Sequence, residues 1–212
     1  MIPMHSVFII LVGIFALIGS LRGWAKEIIV AFSVLLALFI EEVLTGMVPA
    51  IHDLWAGLPD MSRFWIRASV FVLIVIFGYA SPSLAGRFGA RVVRERLQDI
   101  LLGFFLGVLN GLLIIGTLWF YLDAASYGVP PEQRYEGPRL DRAGMPILDE
   151  NGQPVMTTYY YPDAVGLGGI RPPAEDSPAW NIAPYLPPRL ITGTTLFILV
   201  GLAFVFVIIV FI

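Results

Sequence analysis

The chain has 212 residues, of which 58% are hydrophobic and 14% are charged, and its mean hydropathy is +0.82. Soluble domains contain about half apolar and a quarter charged residues, so this composition excludes an ordinary water-soluble fold and indicates a lipid environment. The net charge of −3 argues against nucleic-acid binding. The absence of cysteine excludes disulfides, thiolate nucleophiles and iron–sulfur clusters, and two histidines leave little for redox chemistry.

Five apolar runs are long enough to be considered as membrane spans. They cover residues 4–21, 24–40, 64–80, 100–122 and 190–212. A helix of about 20 residues crosses the hydrocarbon core, and only helices satisfy their backbone there without a closed barrel. The first run lacks a basic region before it, so we interpret it as a retained span rather than a signal peptide. The sequence predicts an all-α polytopic membrane protein with about five transmembrane helices.

Charged residues in the short loops predict the orientation of these spans. If the spans alternate, one side of the membrane carries Arg22, Lys26, Arg87, Arg91, Arg94 and Arg96. The opposite short loop carries Glu41, Glu42, Asp53 and Asp60. The positive-inside rule makes the arginine side cytoplasmic. We therefore expect the N-terminus outside, the C-terminus inside and residues 123–189 outside.

The segment "SLRGWAKEII" lies between the first two runs. Gly23 permits a tight turn, and Arg22 and Lys26 act as charges that stop and orient a helical hairpin. Lys26 and Glu27 lie about one turn into the second span, where we expect both to reach the interface. An orienting turn with no further role explains this pattern equally simply.

Residues 83–97, "SLAGRFGARVVRERL", differ from the spans. Apolar residues recur at every fourth position, while Arg87, Arg91 and Arg94 form a second stripe. This pattern predicts a short helix in the cytoplasmic interface with its arginines on anionic lipid headgroups. The alternative is a basic loop that only fixes the topology.

The fourth run carries three glycines at a spacing of four. Gly103, Gly107 and Gly111 share one helix face in line with Asp99. Small residues at this spacing allow another helix to approach closely, and a partner's association should then depend on this face. Asp99 suits the positive end of a helix dipole and could also pair with Arg22, Lys26 or Arg96. A capping role is the simpler interpretation of this carboxylate.

Residues 123–189 are rich in proline and glycine, and we expect a mostly irregular external loop. Asn151 and Gly152 are a favoured turn pair and predict a small β-hairpin around them. The aromatic run Tyr159, Tyr160 and Tyr161 is β-prone. It indicates either a surface for a protein partner or a strand near the aromatic layer of the membrane. Both alternatives remain open from the sequence.

Catalytic and transport signatures are missing from the sequence. Away from their ends the apolar runs carry no ionisable residue, and their nearest polar groups are Asn110, Thr117, Thr194 and Thr195. This argues against a pump, since intramembrane charges mark ion and proton paths. No metal-ligand spacing, Walker loop or nucleophile elbow is present. We therefore expect no cofactor, no bound metal and no enzymatic activity.

Two motifs in residues 1–122 resemble the colicin V production (CvpA) family of bacterial inner-membrane proteins. In "GSLRGWAKEI", Gly19, Arg22, Gly23 and Glu27 fit the pattern G-x-x-R-G-x-x-x-E. In "DILLGFFLGVLNG", Asp99, Gly103, Gly107 and Gly111 fit an acid followed by a glycine face. The resemblance implies a four-span unit with a role in colicin production or envelope homeostasis. It also implies that Arg22, Gly23, Glu27 and Asp99 are structural or coupling residues.

The chain also departs from that family. Asn110 stands where relatives often have a basic residue, and residues 123–212 extend beyond the usual four-span unit. The external part is too short for the serine protease domain that some relatives carry. The leading hypothesis is a non-enzymatic membrane scaffold, contacting other membrane subunits or itself. The alternatives are an accessory subunit of a larger membrane complex, such as an energy-transducing one, and a passive channel around Asn110 and Thr117.

Overall fold

The computed structural model of the protein describes residues 4–85, 96–141, 143–175 and 177–211. The predicted interfacial helix at 83–97, with Arg87, Arg91 and Arg94, lies almost entirely outside these ranges.

Eight α-helices and one two-stranded sheet make up the regular structure of the described residues. The helices are α1 (Met4–Arg22), α2 (Trp24–Met47), α3 (Pro49–Ala56), α4 (Asp60–Ala85), α5 (Arg96–Ala124), α6 (Pro178–Ile182), α7 (Pro187–Leu190) and α8 (Gly193–Phe211). The strands are β1 (Arg134–Pro138) and β2 (Met156–Tyr160). Single 3-10 turns at Ser126–Gly128, Pro131–Gln133, Leu167–Gly169 and Ala183–Tyr185 connect the external elements.

Four helices of the described chain are long and apolar enough to cross a membrane, namely α1, α2, α4 and α5. Helix α5 has 29 residues, which at about 1.5 Å per residue exceeds the ~30 Å hydrocarbon core. Its two ends therefore project into the headgroup regions. This architecture confirms the expected all-α polytopic fold.

The membrane core lies where α2 meets α4 and α5. Its fully enclosed apolar side chains include Val30, Val34, Phe71, Val75 and Ile114. The C-terminal helix α8 adds Leu196 to the same core. The described apolar part of α8, Gly193–Phe206, is shorter than a span, so a fifth crossing stays a prediction.

The external segment contains a sheet that differs in its pairing from the expected hairpin. Strand β2 pairs antiparallel with β1, in a register that places Arg134 opposite Tyr160. The turn at Asn151 and Gly152 does form, and it is closed by an isolated bridge between Leu148 and Pro154. Gly152 has a φ of 75°, the left-handed conformation that favours glycine.

Between the strands, residues 140–147 and 148–155 repeat the pattern L-D-x-x-G-x-P-I/V. In each copy the aspartate side chain accepts backbone N–H bonds two and four residues ahead, at 2.8 to 2.9 Å. Such Asx turns fix a compact loop without a hydrophobic core. The two loops connect β1 to β2. We call them, together with Met156 of β2, the finger (residues 140–156).

A second buried cluster attaches the external segment to the end of α5. Trp119 and Leu122 on α5 pack with Tyr127, Ala164 and Leu186. The indole N–H of Trp119 donates to the Tyr127 hydroxyl at 2.8 Å. The sheet and the membrane helices therefore share a core.

Candidate functional site

The turn between α1 and α2 is built around Gly23 and Asp99. Gly23 has a φ of 83°, which a residue with a Cβ adopts only at a cost. The Asp99 carboxylate accepts the Trp24 backbone N–H at 3.2 Å. A Cβ on Gly23 would lie 2.6 Å from a carboxylate oxygen of Asp99. Asp99 therefore caps the start of α2 from another helix, α5, and leaves no room for a side chain at position 23.

Glu27 is fully buried one turn further along α2, with 0% exposure. The Arg22 guanidinium donates to one of its carboxylate oxygens at 2.8 Å. The Asn110 amide donates to the other at 2.8 Å and to the Glu27 backbone carbonyl at 2.9 Å. The expectation that Glu27 reaches the interface is wrong, because these two partners hold it inside the bundle. Lys26, by contrast, is exposed.

Arg22 connects this pair to α4. Its guanidinium donates to the Tyr79 carbonyl at 3.0 Å and lies 4.3 Å from the centroid of the Tyr79 ring. Four helices, α1, α2, α4 and α5, thus meet through one charged pair. We call Arg22, Glu27, Asp99 and Asn110 the hairpin cluster. It is a static, hydrogen-bonded constellation, and the described residues contain no group of side chains that could hold a metal ion.

The glycine face of α5 is covered by α1 of the same chain. A Cβ on Gly103 would lie 2.4 Å from the Gly19 carbonyl oxygen, and one on Gly107 would lie 2.4 Å from that of Phe15. At Gly111 the nearest atom is the Phe15 Cβ, at 2.9 Å. The helix that packs against the glycine face is therefore α1. Gly19, on the other side of the contact, is part of the same motif.

A second charged cluster at the opposite end of the bundle was missed by the sequence reasoning. Arg67 on α4 forms an ion pair with Glu41 on α2, and the Tyr121 hydroxyl of α5 also donates to Glu41. The Arg67 guanidinium lies 4.4 Å from the centroid of the Tyr121 ring. The signal was available, because Arg67 lies only one turn from the start of the third apolar run, where a lone charge requires a partner.

The three tyrosines of β2 differ in their surroundings. Tyr159 is buried and stacks between Tyr135 and Trp180, with ring centroids at 5.4 and 5.7 Å. Burial raises the pKa of Tyr160 to about 12. Tyr161 is 48% exposed. Most of the aromatic run therefore serves the interior of the external fold, and Tyr161 alone presents a largely open ring.

The hairpin cluster and the glycine contact lie in the part of the chain that matches a known family. A family model described as "Colicin V production protein" matches residues 6–135. The chain belongs to this family. The matched CvpA region covers all four spans and ends at the start of β1, so the finger and α8 lie beyond it. No curated protein and no solved structure matches the chain. The protein is an integral membrane protein of the CvpA family.

Proposed function

We propose that the protein is a non-enzymatic scaffold of the bacterial cytoplasmic membrane that presents its external segment to a protein partner. The observation that carries this proposal is the number of exposed apolar side chains in the finger. They include Leu140 (46%), Met145 (61%), Leu148 (58%) and Met156 (56%). Large apolar side chains exposed together in one short segment favour an interaction surface.

The arrangement of the membrane helices supports the same conclusion. The glycine face, which the sequence offered as a partner site, is occupied by α1. The two ion pairs, Arg22 with Glu27 and Arg67 with Glu41, both form between helices of the same chain. A partner is therefore expected on the finger, which the CvpA match does not include.

Site-specific photo-crosslinking in intact cells tests this role. A photo-reactive amino acid at Met145 or at Leu148 should give one adduct of discrete mass, while the same residue at exposed Asp163, away from the finger, should give none. Adduct mass separates the alternatives, because self-association doubles the 23.4 kDa chain and an accessory subunit gains its neighbour's mass. Equal labelling at all three positions, or none at any, would contradict the proposal.

A channel lined by Asn110 and Thr117 is disfavoured by their burial. Both residues have 0% exposure within a single chain. A pore between copies of the chain could not use them without unpacking the bundle. Flux of a small solute from liposomes containing the purified protein would revive the channel hypothesis.

The proposed orientation places Arg22 and Lys26 in the cytoplasm and the finger outside. The chain has no cysteine, so single-cysteine variants report cleanly on sidedness. An impermeant maleimide added to spheroplasts should label Gly152→Cys and spare Lys26→Cys until the cells are lysed. The reverse labelling pattern would invert the topology.

A further inference from the structure

A polar cavity of about 270 Å³ lies where the external fold meets the end of α5. Asp123, the penultimate residue of α5, lines it together with Ser126, Arg139, Thr158, Trp180 and Arg189. Because Asp123 lies at the end of a membrane-spanning helix, the cavity is at the level of the lipid headgroups.

The charges around this cavity are unbalanced. Arg189 pairs with Asp123 at 2.6 Å, which leaves Arg139 as a second guanidinium beside the same carboxylate. Arg139 is half-buried, and its side chain makes no hydrogen bond or ion pair with any residue of the described ranges. A partly desolvated guanidinium without a partner is costly, so an anion is the group that would complete the cavity.

The other residues that line the cavity indicate which class of ligand it can bind. The hydroxyls of Ser126 and Thr158 can donate to oxygen atoms, and a guanidinium matches the geometry of a phosphate bidentately. The volume is below the range of about 300–1,000 Å³ that drug-sized ligands occupy. The space therefore fits a headgroup and excludes an acyl chain.

We propose that this cavity binds a phosphate group, with Arg139 as its principal cationic contact. The phosphate is either that of an anionic phospholipid headgroup or that of a small soluble phosphorylated molecule. This proposal concerns a different surface from the finger and stands independently of the scaffold role.

Isothermal titration calorimetry of the full chain in a neutral maltoside detergent tests the proposal. The probes are inorganic phosphate, dihexanoyl phosphatidylglycerol and dihexanoylglycerol, which has the same acyl chains and no phosphate. Saturable binding of phosphatidylglycerol alone identifies a lipid source, and binding of inorganic phosphate identifies a soluble one; both support a phosphate site. No saturable binding of any probe, or equal binding of dihexanoylglycerol and phosphatidylglycerol, overturns it.

Variants locate the binding at the cavity. Arg139→Gln should weaken binding by about tenfold or more, because a charge-assisted hydrogen bond is lost. Arg171→Gln is the matched control, since Arg171 is an exposed arginine of the same external segment and does not line this cavity. Equal affinities of the two variants overturn the proposal. If Arg139→Gln fails to fold, Thr158→Val decides: a loss of about threefold supports the site, and unchanged affinity refutes it.

Discussion

Replacing Gly107 with alanine tests whether the α1–α5 contact holds the bundle together. The new Cβ would lie 2.4 Å from the Phe15 carbonyl oxygen and 3.0 Å from the Ala16 Cα. Ordinary contacts begin near 3.4 Å, so α1 must retreat by about 1 Å, and backbone atoms cannot rotate away as a side chain would. Overpacking of this kind costs about 1–3 kcal/mol.

Gly13→Ala is the matched control, because Gly13 lies on α1 and a Cβ there meets nothing within 4 Å. Both substitutions gain helix propensity of up to about 1 kcal/mol, so their difference isolates the contact. We expect Gly107→Ala to be less stable than Gly13→Ala by about 2 kcal/mol. Unfolding in mixed micelles of increasing dodecyl sulfate fraction, followed by circular dichroism, measures this difference. Equal stabilities would refute the close contact between α1 and α5.

Three further predictions concern the turn, the buried pair and the external tyrosines. Gly23→Ala should destabilise the fold by roughly 1–3 kcal/mol through its positive φ and its clash with Asp99, and unfolding curves that overlay the wild type would contradict this. Asn110→Leu should cost about 1–3 kcal/mol because a buried Glu27 oxygen loses its donor. Glu27→Gln should cost more, because it removes the charge opposite Arg22 and turns an amide N–H towards another donor; the reverse order in the same assay would exclude the pairing. The pKa of Tyr160 is raised from 10.0 to about 12, so the stability that its buried neutral phenol contributes is complete below pH 10 and is lost as the pH rises towards 12. Phenolate absorbance should contain a component that titrates near pH 12 and disappears in Tyr160→Phe. If that component persists in the variant, it belongs to another tyrosine.

The helices and the glycine contact could be predicted because each leaves a local trace in the sequence. Apolar runs of span length reveal membrane helices regardless of their partners. Glycines four residues apart mark a close approach even when the opposing helix is unknown. The partner itself, α1, could not be deduced, because its two glycines, Gly13 and Gly19, are six residues apart and do not repeat the spacing of four.

The position of Glu27 could not be predicted, because its surroundings are long-range. Its donor Asn110 is 83 residues away, and neither residue's neighbours in sequence predict the pairing. The expectation of an interfacial Glu27 assumed that a charge near a helix end finds water. In the structure, the Arg22 guanidinium and the Asn110 amide donate to the carboxylate in place of water. The pairing of β2 with β1 could not be predicted either, because two local turns separate the strands in the sequence.

The cap that Asp99 provides for α2 has a consequence for biogenesis. The residues joined by this bond are 75 positions apart, so the first hairpin leaves the ribosome and enters the membrane long before its cap is synthesised. Until α5 arrives, the start of α2 lacks its Asp99 cap and Glu27 lacks its amide donor. The hairpin is therefore an immature species, and the fourth span, α5, completes its assembly. A chain truncated after α4 should insert but be degraded by membrane quality control.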